Sequence, residues 1–207
     1  MGWSAGGHLA LLYAYKERRC RQSGNNCDGC ALENSCNNIV VGVGQHPIKL
    51  VISEAGPTNF LIKDDNGNSI PAIQNICNLV GITENDSNTN DKLFSASPIK
   101  YVTVEEGEDA VDVPYTILAY GSGISCGSMG DGDGTVAYSQ ATSLAAQLAA
   151  NKYMLYPLPN IAHLQFGSPQ LDKNETIETT VNPDNFSNNY VKNYYLLLKG
   201  KLESLNQ

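Results

Sequence analysis

Apolar residues in this chain fall into two rhythms. Three short, nearly continuous runs, Leu50-Val51-Ile52-Ser53, Val113 to Gly121 and Tyr153 to Leu158, have the length and β-branched or aromatic content of strands buried on both faces. Between and after them lie helical stretches: about Ala5 to Arg19, about Ala137 to Ala150 and, near the end, about Asn188 to Leu205. The strands are expected at about Lys49 to Ala55, Tyr115 to Tyr120 and Tyr153 to Leu158, with Met1 closing a fourth. Each connection passes through a helix, so the pattern predicts parallel neighbouring strands joined by right-handed crossovers. The fold class is then α/β, three layers deep, with a mostly parallel sheet.

The polar interruptions are Asn-rich, near residues 23 to 38, 64 to 69, 84 to 91 and 182 to 189, and read as surface loops or insertions. The net charge of −8 and the pI of about 4.8 argue against nucleic acid or an anionic membrane as partner. No stretch is long and apolar enough to span a bilayer, and no charged segment followed by an apolar core opens the chain. Cys20, Cys27, Cys30 and Cys36 cluster in an insertion at about 20–38, while Cys77 and Cys126 lie far away. Two local disulfides, which would indicate an oxidising, extracytoplasmic compartment, compete there with free thiols and a metal site. The spacings outside Cys27-x-x-Cys30 are irregular for paired zinc knuckles, so no metal and no cofactor is expected.

Candidate chemistry starts at the first residues. Gly2-Trp3-Ser4-Ala5-Gly6 runs straight into a helical stretch, the pattern of a strained strand-to-helix turn that presents a serine. Ser4 is the candidate nucleophile, and small residues at Gly2 and Gly6 would let the backbone pack closely. The Ala5 N–H, at the positive end of the helix, is the candidate oxyanion-hole donor. Downstream, Gly130-Asp131-Gly132-Asp133-Gly134 supplies a loop acid after one strand, and Asn160-Ile161-Ala162-His163 a histidine after the next. Asp133 is the candidate acid, with Asp131 and Glu54 as competitors, and His163 the candidate base. His8, on the helix after the serine, and His46, before Pro47, are less suitably placed.

Together with Gly7-His8-Leu9-Ala10, Ser53-Glu54-Ala55-Gly56-Pro57-Thr58, Ala96-Ser97-Pro98-Ile99 and Asp133 to Gln140, these residues resemble the catalytic half of α/β-hydrolase esterases. The resemblance is to the feruloyl and acetylxylan esterase-like group, related to hormone-sensitive-lipase-like carboxylesterases, and runs over about residues 1 to 170. It implies a serine hydrolase that cleaves small-acyl or carbohydrate-linked carboxylic esters through an acyl-enzyme, with Ser4, Asp133 and His163 as triad. A dipeptidyl-type peptidase shares the triad order, and an inactive fragment or binding module is the other alternative. The family's extra oxyanion donors come from a His-Gly-Gly-type loop that has no counterpart here, and only about four of about eight strands are found. The chain, residues 1–207, is therefore expected to be the C-terminal part of such a domain, with a variable cap-like segment at about 62–93 and impaired activity in isolation.

Overall fold

A computed structural model describes residues 1–22, 48–62, 77, 88–103, 112–126, 130–163 and 186–205. The cysteine-rich insertion beyond its first residues, and most of segment 62–93, lie outside these. In chain order the elements are β1 (Gly2–Trp3), α1 (Ala5–Gln22), β2 (Leu50–Glu54), α2 (Thr89–Ser95), a 3₁₀ turn at Pro98–Tyr101, β3 (Tyr115–Ser122), β4 (Ile124–Ser125), β5 (Asp131–Gly132), α3 (Ser139–Ala145), β6 (Tyr153–Pro159) and α4 (Phe186–Leu205).

Four strands form one all-parallel sheet in the order β1-β2-β3-β6, with Ile52 opposite Ile117 and Leu118 opposite Leu155. Alternation along β2 and β3 divides the core in two. Val51, Leu118 and Tyr120 face Leu11, Ala14 and Tyr15 of α1 and Ala141, Leu144 and Ala145 of α3. Ile52, Ile117 and Ala119 turn the other way, with Leu158, toward Tyr194 and Leu198 of α4. Helices thus cover both faces, which is why β3 reads as an unbroken apolar run rather than an alternating one. Full burial of an aliphatic side chain contributes about 1.5–3 kcal/mol, and this central strand collects that gain from both sides.

Two expectations are corrected. The helix foreseen over about Ala137 to Ala150 ends at Ala145, and the chain continues through tighter turns, with the N–H groups of Gln147 and Leu148 bonded to the carbonyls of Leu144 and Ala145, three residues back. Alanine favours continuing the helix, but the chain must reverse here to bring Tyr153 beside Thr116. The second correction concerns glycine. A Cβ on Gly2 would stand 2.1 Å from the Gly6 carbonyl oxygen, whereas one on Gly6 meets nothing within 4 Å. The close approach on the helix belongs instead to Gly7, where a Cβ would lie 2.8 Å from Ser53 Oγ and 2.9 Å from the Gly2 carbonyl oxygen.

These contacts give opposite expectations for two glycines four residues apart. Gly6→Ala should raise stability by a few tenths to about 1 kcal/mol through helix propensity, and Gly2→Ala should lower it by about 3 kcal/mol because backbone blocks the new methyl. Urea unfolding of the two variants checks the contrast.

Candidate active site

The carboxyl ends of all four parallel strands lie along one edge, and each strand leaves it through a residue of positive φ: Ser4 (51°) after β1, Ala55 (50°) after β2, Gly123 (88°) after β3 and Asn160 (57°) after β6. Open parallel sheets gather chemistry at this edge because loops from neighbouring strands converge there. For a non-glycine residue the left-handed conformation costs about 1–2 kcal/mol. Ser4 is held in it from two sides, its N–H donating to the Glu54 carbonyl at 2.8 Å and its own carbonyl accepting the His8 N–H at 3.0 Å as α1 begins. The sharp turn lifts the hydroxyl clear of the strand.

Ser4 Oγ lies 2.8 Å from His163 Nε2, and His163 Nδ1 lies 2.7 Å from Asp133 Oδ2. The tautomer that serves both contacts carries its proton on Nδ1, donating to the carboxylate and leaving Nε2 to accept from the hydroxyl. The Asp133 side chain is fully buried and its other oxygen, Oδ1, accepts the N–H groups of Thr135 at 2.9 Å and Val136 at 2.7 Å. A buried carboxylate needs such partners, because burying an unpaired charge costs several kcal/mol. The His163 N–H also donates to the Asp133 carbonyl at 2.9 Å, tying the two loops by backbone as well as by side chain. Gly121 makes room for both, since a Cβ there would stand 2.4 Å from Asp133 Cβ and 2.6 Å from the Ile161 carbonyl oxygen.

The competing acids are engaged elsewhere. Asp131 Oδ1 accepts the Gly123 N–H across the small antiparallel β4–β5 ribbon, a feature the sequence pattern did not reveal. Glu54 is buried beside Tyr194 of α4, and burial pushes its carboxyl above the usual range, partly opposed by the neighbouring Tyr194 hydroxyl. Ala5 is the first residue of α1, so its N–H belongs to the first turn, whose N–H groups no carbonyl within the helix can take up. Contacts thus join Ser4, His163 and Asp133, and Ala5 follows Ser4 directly in the chain.

Two further residues brace it. Gln140 of α3 accepts the N–H groups of Thr58 and Asn59, both at 2.8 Å, and its Nε2 donates to the Asn59 carbonyl at 3.0 Å. This joins the helix behind the acid loop to the loop after β2. His8 completes the wall, its Nδ1 2.8 Å from the Pro57 carbonyl oxygen and its ring stacked on Phe60 at 4.8 Å. Both residues lie inside the motifs read from sequence, yet a bracing role depends on contacts about 50 and 80 residues away in the chain. Among the described residues no group of three or more His, Cys, Asp or Glu could hold a metal, and no helix is long and apolar enough to cross a membrane.

Similarity to known proteins bears on the same region. A family model described as BD-FAE matches residues 1–148. No curated protein matches the sequence. Among solved structures, the chain is similar to a truncated form of a carbohydrate esterase from gut microbiota, with 19% identity and a TM-score of 0.52 over 78% of this chain and 50% of that one. A bifunctional GH43-CE protein of Bacteroides eggerthii matches with 21% identity and a TM-score of 0.49 over 83% of this chain and 20% of that one. The chain therefore spans half or less of the length of these structures.

Burial lowers the pKa of His8 below its ordinary 6.5, against the opposing Pro57 hydrogen bond. The folded state then resists a proton that the unfolded chain accepts. The stability this contributes is complete above pH 6.5 and is lost as pH falls from there through the lower, folded-state value. The urea midpoint should drop between pH 7.5 and 5.5 by less in His8→Gln than in the unsubstituted protein, as equilibrium unfolding at both pH values will show.

Proposed function

From the premise that the chain belongs to the BD-FAE family, we propose that it carries the catalytic residues of a serine carboxylesterase acting on small or carbohydrate-linked esters. One observation carries the reading: Ser4 Oγ, His163 and Asp133 form a continuous chain of two contacts, 2.8 and 2.7 Å long, in which the far carboxylate is buried. Ser4 Oγ attacks the ester carbonyl carbon while His163 Nε2 takes the hydroxyl proton. The carbonyl oxygen becomes an oxyanion beside the Ala5 N–H and the positive end of α1. The intermediate collapses, His163 returns the proton to the departing alcohol oxygen, and an acyl-Ser4 ester remains. Water, deprotonated by the same Nε2, attacks that ester and releases the acid, restoring the hydroxyl. Asp133 holds the ring in the working tautomer and stabilises the imidazolium formed at each proton transfer.

Family membership favours ester over amide cleavage, and the carbohydrate esterase that shares this fold suggests sugar-linked acyl groups as the substrate class. The test is covalent. A fluorophosphonate should modify the protein once, with the adduct mapping to Ser4 by peptide mass spectrometry, and 4-nitrophenyl acetate should compete. Ser4→Ala should abolish both labelling and ester hydrolysis while unfolding at the same urea concentration. Labelling elsewhere, or hydrolysis that survives Ser4→Ala, would contradict the proposal.

A further inference from the structure

Trp3 stands between Gly2 and Ser4, and its side chain packs against the core on the α4 face of the sheet. The indole does more than fill that space. Its Nε1–H donates to the backbone carbonyl of His163 at 3.0 Å, and its ring lies 5.3 Å from the imidazole, tilted by 36°. His163 is thus gripped at both ends of its own backbone, its N–H by the Asp133 carbonyl at 2.9 Å and its carbonyl by Trp3. Each grip comes from a residue that is, or directly adjoins, another member of the cluster.

We infer that Trp3 is a positioning residue for the base: it ties the His163 loop to the strand that carries Ser4, so that nucleophile and base keep their separation as one unit. This rests on the serine-hydrolase reading. Trp3 and Ser4 are consecutive, so a displacement of β1 carries the indole, the histidine carbonyl and the hydroxyl together. The indole N–H joins the loop after β6 to β1 by a contact that, unlike the Ser4–His163 one, need not break and re-form in every cycle. The ring has a second effect. An imidazolium formed when Nε2 takes the serine proton lies within the roughly 6 Å at which a tryptophan π-system attracts a cation, so the indole favours the charged intermediate over the resting state.

Two substitutions separate these effects. Trp3→Phe keeps an aromatic ring and most of the buried surface but removes the N–H, and Trp3→Leu removes the ring as well. Fluorophosphonate should react with Ser4 about tenfold more slowly in Trp3→Phe, the size of one lost hydrogen bond acting on the transition state, and about tenfold more slowly again in Trp3→Leu. A packing role alone would not change the histidine itself, so the second readout is the ¹⁵N chemical shifts of its ring nitrogens at pH 8.5. With only three histidines in the chain, His163 is assigned by comparison with His163→Gln. The wide separation of Nδ1 and Nε2 expected of a single tautomer should narrow in Trp3→Phe while the urea midpoint stays close to that of the unsubstituted protein. Unchanged ring shifts in Trp3→Phe would overturn the inference, and so would an unchanged labelling rate. If the unsubstituted protein does not react with the probe, the hydrolase reading fails, and the nitrogen shifts still decide whether Trp3 holds the ring.

Discussion

A carboxylate sealed inside a protein demands hydrogen bonds, and among the described residues Asp133 obtains them from its own loop and from His163. Two come from the turn that follows it, through the N–H groups of Thr135 and Val136, and one from His163 Nδ1. Removing any of them leaves buried negative charge underpaired, at a cost of several kcal/mol. The acid loop therefore cannot relax without the histidine, nor the histidine loop without the acid. Gly121 is the condition for this arrangement, because β3 must pass within contact distance of both loops and has no space for a side chain there.

Around that pair, the sheet edge concentrates backbone strain. Ser4, Ala55 and Asn160 all adopt the left-handed conformation without being glycine, at the ends of three different strands. Each is paid for by hydrogen bonds to a neighbouring strand or loop: Ser4 N–H to Glu54, Ala55 N–H to Ala119 and Asn160 N–H to Ser122. Strain of this kind persists only where surrounding structure over-determines it. Here the sheet core on both faces supplies that rigidity, and the sharp exits turn the chain at once so that Ser4 and the His163 loop face each other.

Much of this was legible because burial writes itself into sequence. The strands stood out as apolar runs since both sheet faces are covered, and the serine turn was visible because its geometry is local to a few residues. The choice among acids was harder to read. Asp131 and Asp133 both alternate with glycine, and only the three-dimensional course of the β4–β5 ribbon sends one to Gly123 and the other to His163. Glu54 follows a real strand, but the two-residue alternation along β2 places it on the same face as Ile52, toward α4. Gly6 shows the opposite failure: the motif suggested a tight approach that the structure assigns to Gly2 and Gly7. The bracing by Trp3, His8 and Gln140 was invisible for a physical reason, since each works through a partner distant in the chain.

In the proposed chemistry the buried Asp133 carboxylate organises His163 to activate Ser4. Asp133→Asn tests it most directly, because the substitution preserves shape and changes only charge and hydrogen-bonding character. With the amide able to donate, the ring is driven toward the wrong tautomer, and the second-order rate constant for fluorophosphonate labelling of Ser4 should fall by about 10³ to 10⁴, with a folded protein by circular dichroism. A labelling rate within about threefold of the unsubstituted protein would contradict the account, because a serine activated without that carboxylate owes nothing to the Asp133–His163 pair.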